Sequence, residues 1–134
     1  MKEIIRFLSE NPVQFLATVG LDGKPKVRPF QFMLEQNNKL WFCTGNQKEV
    51  YAELMKQPYI ELSVSNKKDA WLRLSAKVVF EDNRLVKDLI IEHSPLVKSI
   101  YKSGDNPIFE VFYLVDGQAC ISDFSGQPPQ KFKF

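Results

Sequence analysis

Apolar residues recur along the chain in two periods, and the switches between them divide it into elements. Ile4, Ile5 and Leu8 fall on one stripe, which predicts a short helix over Lys2–Glu10. Asn11-Pro12 ends it, because the residue before a proline is pushed out of the helical region. From Val13 to Gly20 the period becomes two. Val13, Phe15, Ala17 and Val19 share one side of a strand; Gln14, Leu16 and Thr18 share the other. Asp22-Gly23 marks a tight hairpin, since glycine accepts the positive φ such turns need. The return strand, Lys24–Leu34, contains Pro25 and Pro29, which donate no ladder bond and so predict an edge position or a bulge. Glu35–Lys39 is a polar turn, and Leu40–Thr44 is a third strand.

Asn46-x-x-Glu49 fits a capping box. It predicts a helix over Gln47–Lys56 with Val50, Tyr51, Leu54 and Met55 on the apolar stripe. Tyr59–Ser65 and Ala70–Glu81 read as strands joined by a turn at Asn66–Asp69. Asp82–Glu92 reads as a helix with Leu85, Val86, Leu89 and Ile90 toward the core. Ser94-Pro95 opens a shorter helix to about Tyr101. Ile108–Val115 and Gln118–Phe124 read as a last hairpin around Asp116-Gly117, and Ser125–Phe134 as an irregular tail. The result is about six or seven strands, mostly sequential and antiparallel. Helices interrupt the strand run rather than alternate with it, which disfavours a parallel doubly wound sheet. A closed or split antiparallel barrel removes exposed edges most economically.

Composition narrows the function classes. The 134 residues are 44% hydrophobic and 25% charged, as in a globular protein and unlike a disordered chain. That length suits one domain, 1–134. A net charge of +2 is too small to point to nucleic acid or an anionic membrane. No apolar run is long enough to cross a bilayer, and charges interrupt the N-terminal segment where a signal peptide would be apolar. Cys43 and Cys120 are too few for a disulfide framework and suit the cytoplasm. With the one histidine, His93, they show no zinc spacing. His93 has no local nucleophile partner and reads as a surface or helix-end residue.

Two segments carry candidate chemistry. Arg28 shares a strand face with Phe30 and Phe32. It reads either as an arginine lying over apolar surface or as an anion ligand beside a slot for a flat ring. Thr44-Gly45-Asn46-Gln47-Lys48 is a strand end, a glycine turn and a helix start, where free N–H groups favour a phosphate and Lys48 adds positive charge. The alternative there is a capped helix with a solvated lysine. If the strands of Arg28 and Thr44 pair around the turn at Glu35–Lys39, their ends converge and both cations can reach one phosphate. No GxGxxG or GxxxxGK[ST] is present, which disfavours dinucleotide-fold and P-loop binding. Lys24, Lys26, Arg28, Lys131 and Lys133 lie among aromatics, but the near-neutral balance argues against single-stranded nucleic acid.

FLATVGLDGKPKVRPF (Phe15–Phe30), LWFCTGNQKEVYAEL (Leu40–Leu54), WLRLSAKVVFED (Trp71–Asp82) and ACISDFSGQPPQKFKF (Ala119–Phe134) come in an order that resembles the pyridoxamine 5′-phosphate oxidase-like flavoproteins, the FMN-binding split barrels. The resemblance implies a six-stranded antiparallel split barrel, mainly β with short helices. It also implies a homodimer with FMN at the subunit interface. By position, Arg28 matches the arginine that approaches the phosphate, and the backbone of Pro29, Phe30, Gln31 and Phe32 flanks the isoalloxazine. Cys43 and Thr44 match a tyrosine-threonine pair. Asn46, Gln47 and Lys48 match a serine-arginine-lysine run, so one cation is lost and one kept. Trp71 falls near a glutamine that approaches the flavin, and Phe124 opens a tail that contacts flavin across the dimer.

Departures from the oxidase matter too. Met33 stands where it has a lysine that touches the vitamin phosphate, and its arginine-containing C-terminal segment is absent. The resemblance therefore implies an FMN-dependent oxidoreductase acting on a small molecule, by NAD(P)H-linked or nitroreductase-like reduction, and not vitamin B6 oxidation. The alternative is a non-catalytic carrier of flavin, haem or another flat ligand. No catalytic residue is indicated.

Overall fold

The computed structural model describes residues 1–134. In chain order the elements are α1 (Lys2–Glu10), β1 (Gln14–Val19), β2 (Pro25–Phe30), β3 (Leu34–Gln36), β4 (Lys39–Gly45), α2 (Glu49–Lys56), β5 (Tyr59–Ser65), β6 (Trp71–Phe80), α3 (Arg84–His93), α4 (Pro95–Tyr101), β7 (Phe109–Ser122) and β8 (Gln130–Lys133). All strands belong to one antiparallel sheet in the order β2-β1-β5-β6-β7-β4-β3, with β8 paired to β7. The sheet is not closed by hydrogen bonds. Its two ends face each other through side chains instead: Phe30 lies 6.2 Å from Phe42, and Phe32 lies 5.8 Å from the same ring. This is the split barrel expected, with eight strands rather than six; β3 and β8 are the short additions.

Nineteen buried residues fill the barrel, among them Leu16, Leu62, Leu72, Leu74 and Phe112. Phe42 and Phe112 stack at 5.5 Å with Phe30 and Phe80 against them, an arrangement in which ring geometry adds to area burial. A second cluster lies on the far side of β4 and β7. There Trp41, Phe109 and Val111 meet Val86, Ile90, Val97 and Tyr101 of α3 and α4. No helix is long and apolar enough to cross a membrane.

The structure decides which side of β1 faces inward, left open by the alternation, and corrects other expectations. The inward side of β1 is Gln14, Leu16 and Thr18, while Val13 and Phe15 are 67% and 47% exposed. Hydrogen bonding outweighs hydropathy here. The Gln14 carboxamide donates to Leu8 and Asn11 carbonyls and accepts from the Phe32 N–H, so a polar residue is satisfied in the interior. The segment expected as one strand, Lys24–Leu34, breaks after Phe30: β2 becomes one edge of the sheet and β3 the other. On α2 the buried residues are Val50, Glu53 and Leu54, and Met55 is exposed. On α3 they are Val86, Lys87 and Ile90, and Leu85 is exposed.

The expected hairpin at Asp116-Gly117 is one continuous strand. Val115 pairs with Lys77 and Gln118 with Ser75, so Asp116 and Gly117 together oppose Ala76. That two-against-one arrangement is a β-bulge, and Asp116 takes the positive φ of 54° within it. The tail is not irregular throughout either: Gln130–Lys133 pairs with Gln118–Ile121.

Phe112 touches three other rings, so Phe112→Ala should cost about 3–5 kcal/mol through lost contact and a cavity. A urea midpoint within error of the parent would contradict this description of the core.

Candidate functional site

The expected route by which Arg28 and Thr44 approach each other is wrong. β2 pairs only with β1, and β4 pairs with β3 and β7. The two strands come near each other across the open seam of the barrel, not as hydrogen-bonded neighbours. Helix α2 links the two regions, since it begins five residues after Thr44 and brings Glu53, at the opening of its second turn, to Arg28.

Arg28 lies on the inward side of β2, opposite Leu16. Its guanidinium donates to Glu53 Oε1 at 2.6 Å, to Thr18 Oγ1 at 2.8 Å and to the Leu16 carbonyl at 3.2 Å. Thr18 also donates to Glu53 Oε1 at 2.7 Å. Glu53 is 1% exposed and Arg28 is 24% exposed at the side chain. Both Nη1 hydrogens and one Nη2 hydrogen are thus committed, while Nε–H and the second Nη2–H of the five-donor fork have no partner. Sequence reasoning missed Glu53 and Thr18. The available signal was a carboxylate within the apolar stripe of α2 and a threonine on the same side of β1 as Leu16.

At the end of β4, Thr44 is 2% exposed, and its hydroxyl is the one buried side-chain polar atom with no hydrogen-bond partner. Helix α2 starts at Glu49 with Lys48 in the N-cap position and no side-chain cap. The expected capping box is absent: Asn46 donates instead to the Pro107 carbonyl at 2.8 Å and to Glu110 at 3.1 Å. Those bonds tie the turn to β7, and the loop geometry takes Asn46 away from the helix start. Gln47 folds over Gly45, where a Cβ would collide with its carboxamide. Lys48 is exposed and pairs with no carboxylate. The mouth of α2 therefore presents an orphan hydroxyl, uncapped N–H groups and an unpaired ammonium.

The other expected residues divide. Phe30 points inward beside Arg28, and Phe32 is buried with its N–H held by Gln14. Pro29 and Gln31 are exposed. Cys43 faces the second cluster rather than the barrel interior. Desolvation pushes its thiol up to about 12, against the smaller opposing pull of Lys48. The Trp71 and Phe124 rings lie 5.1 Å apart and tilted, but on the outer side of the sheet with Arg73, opposite to the Arg28 side. Arg28 with Phe30 stands at the middle of α2 through Glu53, Thr44 through Lys48 stand at its start, and Trp71 and Phe124 lie on the opposite side of the sheet.

The pyridoxamine 5′-phosphate oxidase family model matches residues 1–111. A NimC/NimA family protein from Clostridium acetobutylicum is 36% identical, with a TM-score of 0.92 over 100% of this chain and 92% of that one. A pyridoxamine 5′-phosphate oxidase-related, FMN-binding protein from Nostoc punctiforme is 18% identical, with a TM-score of 0.71 over 94% of this chain and 81% of that one. A heme-binding protein from Mycobacterium smegmatis is 17% identical, with a TM-score of 0.71 over 93% of this chain and 54% of that one. No curated protein matches the chain in sequence.

The two members of the ion pair should respond unequally to removal. Arg28→Ala leaves a carboxylate with no route to water and should cost about 3–5 kcal/mol. Glu53→Gln leaves an arginine that can reach solvent and should cost roughly 1–2 kcal/mol. Chemical denaturation of both variants checks the order. Of the two thiols, iodoacetamide at pH 8 should alkylate Cys120 and spare Cys43, as read by peptide mass. Above 9.0 the unfolded chain loses the Cys43 proton while the native chain keeps it to about 12. The native state then binds more protons, so this thiol makes stability fall as pH rises across that window. Cys43→Val should reduce the alkaline loss.

Proposed function

The chain belongs to the pyridoxamine 5′-phosphate oxidase family, and from that premise we propose that it is a small FMN-binding oxidoreductase that reduces a small molecule and does not oxidise vitamin B6. The observation that carries this reading is the Thr44 hydroxyl. A buried hydroxyl without a partner costs about 1–3 kcal/mol, and an unpaid group of that kind calls for a ligand. It lies beside an uncapped helix start and Lys48, which together suit a phosphate. The donor set therefore fits the phosphate end of FMN.

In this reading Lys48 and the first N–H groups of α2 hold the phosphate, with Thr44 donating its hydroxyl hydrogen. Arg28 offers its two spare hydrogens while Glu53 and Thr18 fix the plane of the guanidinium. The edge backbone at Pro29–Gln31 flanks the ring; the Phe32 N–H is already engaged and takes no part. Asn46 positions the turn rather than the ligand. When bound, FMN supplies hydride and electron chemistry, and the chain supplies binding and orientation. Met33 puts an apolar side chain where a vitamin phosphate would need a cation, which supports a different substrate, NAD(P)H-linked or nitroreductase-like.

Trp71 and Phe124 face away from Arg28, so one flavin could touch both regions only if a second copy supplied the aromatic pair. Val13, Phe15 and Val27 form an exposed apolar area on that same outer side, which a homodimer would cover.

The absorption spectrum of protein purified without added cofactor should show oxidised flavin; a Soret band would replace this reading with the haem carrier. Lys48→Ala should lower FMN affinity about tenfold or more. Thr44→Val is the sharper variant. It should raise the stability of the flavin-free protein by roughly 1 kcal/mol while weakening FMN binding. A variant that binds FMN as tightly as the parent would remove the phosphate assignment. Light scattering should give the dimer mass.

A further inference from the structure

A cavity of about 300 Å³ lies where the segment between β2 and β3 passes the junction of α3 and α4. That volume is at the small end of the range for ligand sites. The segment supplies Gln31 and Met33, and the junction supplies Ile90, His93, Ser94 and Leu96. Two bonds pin the segment. Gln14 accepts from the Phe32 N–H at 2.7 Å, and the Trp41 carbonyl accepts from the Met33 N–H at 3.0 Å. This wall of the cavity is therefore preformed.

The junction keeps hydrogen-bonding capacity that the chain does not use. His93 closes α3, and its Nδ1 lies 2.7 Å from the Leu89 carbonyl. A carbonyl can only accept, so Nδ1 carries the hydrogen and the neutral ring presents an acceptor at Nε2. No group of the chain donates to Nε2. Beside it, the Ser94 oxygen caps α4 by accepting from the Val97 N–H at 3.2 Å. The hydroxyl hydrogen of Ser94 remains to be donated. Met33, Ile90 and Leu96 make much of the remaining lining apolar, and no carboxylate, lysine or arginine borders the cavity.

We propose that this cavity recognises the substrate by an uncharged planar group with a hydrogen-bond donor beside an acceptor, as in an aromatic carboxamide, and that His93 determines this specificity. The amide N–H₂ meets His93 Nε2, the amide carbonyl meets the Ser94 hydroxyl, and the ring lies among Met33, Ile90 and Leu96. A carboxylate of the same shape is selected against, because no cation awaits it and the Nε2 lone pair faces it. A plain hydrocarbon would strip water from Nε2 and the hydroxyl without replacing it. The inference rests on the flavin reading for one link: Gln31 belongs both to the edge backbone that flanks the ring and to this cavity, so the bound molecule lies beside the flavin.

The test is calorimetric titration of the protein as purified, at pH 8, with benzamide and with benzoate, which share a shape and differ in charge. Benzamide should bind, and benzoate about tenfold or more weakly. His93→Phe should lower benzamide affinity about tenfold with flavin content unchanged. His93→Gln, which keeps a side-chain acceptor, should restore most of the loss. Met33→Lys should turn the preference toward benzoate. Benzamide should also shift the visible bands of the bound flavin. Absence of benzamide binding in the parent would overturn the proposal. So would equal affinity for benzoate, or benzamide affinity that His93→Phe does not alter. Binding that leaves the bands of a bound flavin unmoved would overturn it as well, by separating the cavity from the ring. Failure of the flavin reading registers separately, as a starting protein without flavin absorption in which benzamide recognition through His93 persists.

Discussion

Glu53 is a carboxylate at 1% exposure, and water cannot solvate it there. Its charge is tolerable only because Arg28 reaches in from β2 and Thr18 from β1. That single need draws three elements to one point. It seats α2 against the β1–β2 hairpin, and by doing so it sets where the start of α2 lies relative to the seam of the barrel. The ion pair gains little net energy over a well-packed apolar trio. Its value is positional, because breaking it would strand a charge and so one arrangement of helix on hairpin is enforced.

The same geometry explains why the barrel is split. β7 is long enough to serve two neighbourhoods. Its first half pairs with β4 and its second with β8, while β6 accompanies both. The bulge at Asp116-Gly117 marks the change, and Phe134 exchanges backbone hydrogen bonds with Gly117 on its other side. With β7 turned in this way, β4 and β3 curl back toward β2 but meet it through phenylalanine rings rather than a ladder. The uncapped start of α2 with the Thr44 hydroxyl and the Trp71–Phe124 pair consequently lie on opposite sides of one sheet.

Local chemistry was legible wherever a residue's role is decided by its immediate neighbours. Asp22-Gly23 turns as expected, with Gly23 at φ 79°. Ser94 caps α4 by accepting from the Val97 N–H, as Ser-Pro suggests. The strand-and-helix order pointed to a closed or split antiparallel barrel, and the family resemblance of the segments Phe15–Phe30, Leu40–Leu54, Trp71–Asp82 and Ala119–Phe134 carried the split form. What could not be read was decided by distant partners. Asn46 looks like a cap until Pro107 and Glu110 are beside it. Asp116-Gly117 looks like a hairpin turn until β6 runs unbroken past it. Hydropathy favours the Val13–Phe15 side of β1, and only Glu53 and the Phe32 N–H reveal why Thr18 and Gln14 go inside. At the candidate site the residue types were foreseen, but the carboxylate that holds Arg28 was not.

The prolines of β2 have a consequence for self-association. Pro25, Val27 and Pro29 share one parity in the β1 ladder, and their backbone groups that do not serve β1 point to the free border. Two of those three positions own no N–H, so an incoming strand would find a single donor there, at Val27. Cross-β extension along this border is disfavoured, so a neighbouring molecule that meets β2 docks by the flat of the sheet rather than lengthening it there.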